Sequence, residues 1–320
     1  MLEALSFQYA LQEVIFSSFM HGRARPNALQ IFGLEIAMEK AIRKYWPIFV
    51  LPTVAAFCVG FIYPFVQGLY LSFCKFTTIK KATFIGLDNY AYALSDADFW
   101  HSFWFTALFT VVSTVLINVI AFAIALALTN KIKGSNFFRT VFFMPNLIGG
   151  IVLGYIWQIL LNCVLSLLEK PLLALNATYG FIGLTILMCW QQIGYMMIIY
   201  IAGLQSIPDD YIEAAKIDGA TTNQILFRIK IPNVMPSITI CTFLTITNGF
   251  KLFDQNLALT GGEPAHASEM LALNIYNTFY SRTGPQWKGY GQAKAVIFCI
   301  MVIIISMIQL RFTKSKEVQQ

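Results

Sequence analysis

The sequence predicts an all-α, polytopic membrane protein with six transmembrane helices and a short helical loop between the fourth and fifth. Three observations carry that fold class. Hydrophobic residues make up 57% of the 320, charged residues only 12%, and mean hydropathy is +0.64. A soluble domain has about 25% charged residues with which to cover its surface. The 28 Phe and 14 Tyr point the same way, because lipid-facing and interfacial positions favour aromatic rings. Third, the apolar residues collect into long runs, each of about the 20 residues a helix needs to cross a bilayer core.

Taken in order, the first run extends from Trp46 to Phe73 and contains Pro47, Pro52 and Pro64. The second runs from Trp104 to Thr129, the third from Thr140 to Leu161 and the fourth from Phe181 to Leu204. The fifth spans Val234 to Leu257 and the sixth Ala293 to Phe312. Helix is the conformation expected for all six, since an open strand leaves its backbone groups unsatisfied in lipid. Fourteen of the 22 Lys and Arg fall in segments that are cytoplasmic if the N-terminus is inside. Eight fall on the other side, so both termini are expected in the cytoplasm.

Segment 1–44 precedes the transmembrane domain, 45–312, and a short cytoplasmic tail, 313–320, follows it. Glu3, Gln8, Gln12 and Glu13 make the first twenty residues too polar to span. Two readings stay open: an interfacial amphipathic helix, or a natural start at Met38 with Lys40, Arg43 and Lys44 as a basic lead. A cleavable signal peptide is not expected, because the basic n-region and small-residue cleavage site are missing.

Several function classes are disfavoured. The net charge of +6 is dispersed, without the basic, aromatic-interleaved patch that nucleic acid requires. Cys58, Cys74, Cys163, Cys189, Cys241 and Cys299 show no CxxC or CxxxC spacing, and His21, His101 and His266 stand apart, so no metal site is expected. GxxxxGK[ST] is absent, so the chain does not hold ATP by a phosphate loop. HExxH and GxSxG are also absent, which argues against an enzyme. An ion-coupled carrier would need charged relay residues inside the spans, and few are present.

The loop at 205–233 reads as two short helices. Ser206 is expected to cap the first, with Pro208 in its first turn and Asp209 and Asp210 at its positive end. Gly219 suits a left-handed stop. Thr221 and Gln224 have capping-box spacing at the start of the second helix, which ends near Ile231-Pro232. Ala214 and Ala215 leave room for a partner to approach, and Glu213 offers a charge. Local chemistry therefore gives a rigid docking knob with no named partner.

The residues of that knob resemble the EAA loop of type I ATP-binding-cassette importer permeases. The family pattern is EAA, three residues, Gly, nine residues, Ile, one residue and Leu-Pro. Here it stands as Glu213-Ala214-Ala215, Gly219, Ile229 and Ile231-Pro232, with Ile231 in place of leucine. The resemblance covers the chain from Tyr45 onward and narrows to the carbohydrate-uptake branch of maltose, multiple-sugar and glycerol-phosphate systems. That branch is similar at Tyr45 to Pro52, Ile85 to Tyr90, Phe138 to Pro145, Asp218 to Ala220, Leu259 to Pro264 and Tyr276. Glu263 departs from a common glycine.

The resemblance implies a non-catalytic permease in the bacterial cytoplasmic membrane, carrying a sugar or oligosaccharide. The alternative cargo is glycerol phosphate, phosphate, an amino acid or a peptide. It further implies a second permease subunit, two ATPase subunits that bind ATP and Mg, and an extracellular solute-binding protein. Glu213, Ala214, Ala215, Asp218, Gly219, Ile229 and Pro232 would couple to the ATPase. For the solute path, polar side chains at membrane depth are the candidates, because they are costly in lipid: Asn118, Gln158, Gln191, Gln192 and Asn248. Trp157, Tyr195 and Phe250 are candidates for stacking on sugar faces. Against each stands the plainer alternative of helix packing and interhelical hydrogen bonding. Lys251 and Asp254, three apart, are expected to pair with each other.

Overall fold

The protein is described here by a computed structural model covering residues 45–48, 50–130 and 133–314. The expectations for segment 1–44 and for the tail beyond residue 314 lie outside the described residues. Contacts divide the chain into two units between Gln67 and Gly68.

The first long helix, α1 (Val50–Leu71), begins in the first unit, where nearly all its described side chains are exposed. Its ladder widens into a π turn at Cys58–Ile62, and the Tyr63 N–H reaches back to the Cys58 carbonyl. Pro64 follows directly. Proline cannot donate to the ladder and its ring crowds the carbonyl four residues back, and a widened turn makes room for it.

The second unit opens with a two-stranded antiparallel hairpin, β1 (Cys74–Phe76) and β2 (Ala82–Phe84), in the register Lys75 opposite Thr83. The sequence reading contained no strand. Its signal is a period of two, with Cys74 and Phe76 buried and Lys75 exposed. Then come α2 (Asp88–Ser95) and α3 (Ala97–Thr129), whose N-cap Asp96 accepts from the Asp98 amide. That cap starts the second span seven residues before Trp104. Along α3 the buried stripe Phe109, Ser113, Ile117, Ala121, Ala125 repeats every four residues, while Trp104, Leu108, Val111, Val115 and Val119 are exposed.

The third span is displaced from the expected Thr140–Leu161. A short helix α4 (Ser135–Phe143) gives way to a 3-10 turn at Met144–Leu147, and the span proper is α5 (Gly150–Leu167). Pro145, extended Ile148 and Gly149 interrupt what looks in sequence like one apolar run. The fourth span, α6 (Ala177–Gln205), is capped by Asn176, which accepts from the Thr178 and Tyr179 amides. Gly194 lets α6 lie against the end of α4: a Cβ there would fall 1.8 Å from the Phe142 carbonyl oxygen.

Next come α7 (Asp209–Ile217), α8 (Thr222–Asn233) and α9 (Met235–Phe250). Among the described residues five helices are long and apolar enough to span by themselves, and α8 with α9, bent by 68°, makes a sixth if the bent pair is one span. The expected fifth span, Val234–Leu257, is thus cut short at Phe250. After a break, α10 (Asp254–Leu259) packs on α5. Gly150 and Gly154 face Asp254 and Ala258, and a Cβ on Gly154 would lie 2.5 Å from that of Ala258. Small residues four apart permit this close approach.

The described residues end with α11 (Leu271–Tyr276), which runs on through a π turn at Asn277–Ser281, and α12 (Pro285–Lys314). α12 starts eight residues before Ala293. Gln286, Lys288 and Gln292 hide its first turns from a hydropathy reading. Leu184, Leu187, Met188, Met196, Met197 and Tyr200 of α6, with Ile117 and Ala121 of α3 and Cys241 of α9, form the buried core.

Candidate functional site

Three places bring polar or conformationally special residues together. One is the loop between α6 and α9. Ser206 does not cap α7: its hydroxyl donates to the Gly203 carbonyl at 2.8 Å, within the end of α6. Pro208 occupies the cap position instead, because proline fixes an extended approach and α7 starts immediately after it. At the other end the Gly219 amide bonds the Lys216 carbonyl at 3.1 Å and the Ala220 amide bonds Ala215 at 2.9 Å. That pair of bonds is a Schellman stop, and it requires the left-handed φ of +78° that Gly219 adopts. A Cβ at Gly219 would meet nothing within 4 Å, so the backbone angle alone calls for glycine.

α8 begins with the capping box that the spacing indicated. The Gln224 side chain accepts from the Thr221 amide at 2.7 Å, and Thr221 Oγ1 accepts from the Gln224 amide at 3.4 Å. The ladder then widens into a π turn at Leu226–Lys230, with the Ile231 N–H bonded to the Leu226 carbonyl and Pro232 next in line. This repeats the arrangement before Pro64.

Glu213, Ala214 and Asp218 are exposed, while Ala215, Ile229 and Pro232 are half-buried. Between α7 and α8 lies a cleft of about 290 Å³ lined by Asp218, Gly219, Gln224, Arg228 and Ile229. Ile217 beside it is 86% exposed, which is unusual for an isoleucine outside the membrane spans. The whole forms an elbow with an unpartnered apolar and charged surface.

The second place is the break after Phe250, a cavity of about 260 Å³ lined by Met188, Gln192, Asn248, Lys251, Asp254 and Gln255. Of the path candidates, Gln192 and Asn248 face it together, 3.5 Å apart. Gln191 is buried beside it, donating to the Ile148 carbonyl at 3.3 Å and accepting from Gln255 at 2.7 Å. Among the described residues no ion pair joins Lys251 to Asp254. The expected pair assumed a continuous helix, and the break removes the three-residue stacking. Both side chains line the cavity instead.

The other candidates lie elsewhere. Asn118 bridges three helices, donating to Thr245 Oγ1 at 3.0 Å and accepting from the Tyr200 hydroxyl at 2.6 Å. Gln158 donates to the Leu259 carbonyl at 3.0 Å. Trp157 packs edge-on to Trp190, Tyr195 contacts Phe143, and Phe250 is buried.

The third place was not foreseen. Lys294, fully buried in α12, lies 2.6 Å from Asp96 and donates to Asn274 Oδ1 and Thr278 Oγ1 at 3.0 and 2.9 Å. Asn274 in turn donates to the buried carboxylate of Glu269 at 2.9 Å, which also accepts from Asn277. This network ties the start of α3 to α11 and α12. A lysine one residue into an apolar run signals that a partner is needed. That partner is 198 positions away in the chain, and no local pattern points to it.

Residues 118–316 match the family model described as the binding-protein-dependent transport system inner membrane component. The chain is 43% identical over 283 residues to the probable starch degradation products transport system permease protein of Thermoanaerobacterium thermosulfurigenes, covering 86% of this chain and 95% of that one. It is 33% identical to the multiple sugar-binding transport system permease protein of Streptococcus mutans, covering 88% and 100%. Its fold matches a chain from the crystal structure of a bacterial ABC transporter involved in alginate import, with a TM-score of 0.72 and 19% identity over 87% of this chain and 99% of that one. A six-span hydropathy pattern, the elbow and these likenesses agree: the chain belongs to the family of inner membrane components of binding-protein-dependent transport systems.

Proposed function

We propose that this chain is the permease subunit of an ATP-driven sugar importer, and that a separate ATPase grips it at the elbow of α7 and α8. The observation that carries this reading is the elbow itself. A Schellman stop at Gly219 joined to a capping box at Thr221 makes a rigid bend, and its exposed face carries Glu213, Ala214, Ile217 and Asp218. A rigid, partnerless knob joined through a 68° bend to α9 is suited to passing movement into the membrane.

In this reading the elbow and both termini face the cytoplasm. A second permease completes the pathway, two ATPase subunits hold the ATP and Mg, and an extracellular binding protein delivers the solute. The cavity at the break after Phe250 receives it, with Gln192 and Asn248 offering amides to sugar hydroxyls. Transport is then a two-state equilibrium biased by solute at one end and by the ATPase at the other. The chain itself performs no covalent chemistry.

The cargo follows the relatives, two of which are named for starch degradation products and multiple sugars. A second reading has one observation in its favour. Lys251 lines the cavity beside Asp254 without forming an ion pair among the described residues, and its cation suits a phosphate; a glycerol-3-phosphate permease is 32% identical. Uptake of labelled glucose, maltose, maltotetraose and glycerol 3-phosphate by cells with and without the gene separates the two. The sugar reading expects gene-dependent accumulation of at least one sugar. Gene-dependent uptake of glycerol 3-phosphate alone would overturn it.

A further inference from the structure

We infer that an aromatic track on α11, leading away from the solute cavity, binds a second stretch of an oligosaccharide chain, which makes the cargo longer than one or two sugar units. The inference rests on the sugar-importer reading and extends it. Phe253 is shared by two hollows. On one side it lines the cavity with Gln192 and Asn248, and on the other a cleft of about 380 Å³ lined by Tyr276, Phe279, Tyr280, Gln292 and Ala295. One ring therefore borders both hollows.

The rings follow one another. Phe253 and Tyr276 have centroids 5.1 Å apart, and Tyr276 and Tyr280 are 4.9 Å apart. The π turn at Asn277–Ser281 follows Tyr276 directly and places Tyr280 beside it. The last two rings are open to a ligand, with Tyr276 39% and Tyr280 69% exposed. A pyranose ring has an apolar face of C–H groups and a rim of hydroxyls. It matches a tyrosine, which presents a large flat apolar surface and a polar tip. Ligand clefts combine such apolar walls with a few polar groups. Gln292 supplies one here, and among the described residues its amide makes no hydrogen bond.

A disaccharide seated in the cavity would leave the track empty, whereas a tetrasaccharide would reach it. Loss of both ring contacts is expected to slow the longer sugar roughly tenfold, which corresponds to about 1.4 kcal/mol. The test uses the whole importer, with its ATPase and binding protein, reconstituted in proteoliposomes. Uptake rates are measured at labelled maltose and maltotetraose concentrations well below half-saturation, where a loss of binding shows in the rate. Tyr276→Ala with Tyr280→Ala should slow maltotetraose roughly tenfold and leave maltose within twofold. Tyr276→Phe with Tyr280→Phe keeps the rings and should restore most of the tetrasaccharide rate. Equal slowing of both sugars, or of neither, would overturn the track and assign the rings to lipid-boundary anchoring or subunit packing. Wild-type importer that moves neither sugar overturns the track, and the sugar reading beneath it falls as well only if glycerol 3-phosphate is taken up instead.

Discussion

The elbow and the Asp96–Lys294 network are both built from polar groups, yet they are stabilised in opposite ways. Every bond that shapes the elbow joins residues at most five apart: Ala220 to Ala215, Gly219 to Lys216, Gln224 to Thr221. Glu213, Ala214, Ile217, Asp218, Thr221 and Gln224 stand in the open. The network joins Asp96 to Lys294 and Lys294 to Asn274 across three elements, with the lysine sealed from solvent. Local bonding gives a device that can be altered without unfolding the membrane domain. Buried long-range bonding gives a pin on which the packing of that domain depends. The difference separates residues whose loss should cost movement from residues whose loss should cost the fold.

The largest stability effect should come from the pin. Lys294→Met keeps the length of the side chain but leaves the Asp96 carboxylate without its cation. Removing one partner of a buried pair costs about 3–5 kcal/mol. The thermal midpoint of the purified protein in detergent should fall markedly, and adding Asp96→Asn should recover part of the loss. A native midpoint for Lys294→Met alone would show that the pair holds nothing. The elbow should respond far less. Thr221→Ala removes one capping bond, worth about 1 kcal/mol. Amide exchange over 222–225 should quicken roughly fivefold, with the global midpoint unchanged. A global shift from Thr221→Ala would erase the distinction between the two regions.

The same difference explains what could be read from the sequence. Gly219, Thr221 and Gln224 follow rules that act over a few residues, so the elbow was legible except at Ser206, where Pro208 took the cap. Hydropathy located all six runs, because lipid demands long apolar segments. It misplaced the third, since Pro145 and Gly149 break the helix without breaking the apolar composition. It overran the fifth, since α10 is set by packing on Gly150 and Gly154, residues far away in the chain. The polar cavity arises from that same break, so its lining by Lys251, Asp254 and Gln255 was illegible. Gln192 and Asn248 were visible as polar residues in apolar runs, but nothing local distinguished them from Asn118, which bridges helices.

The most direct test of the coupling role is Gly219→Val. Valine fits the open space but resists the left-handed backbone, at a cost of about 1–2 kcal/mol. Membrane abundance and thermal midpoint should match the native protein, while solute uptake by the assembled importer should fall at least tenfold. Uptake at the native rate would contradict the assignment of this bend as the point where the ATPase drives transport.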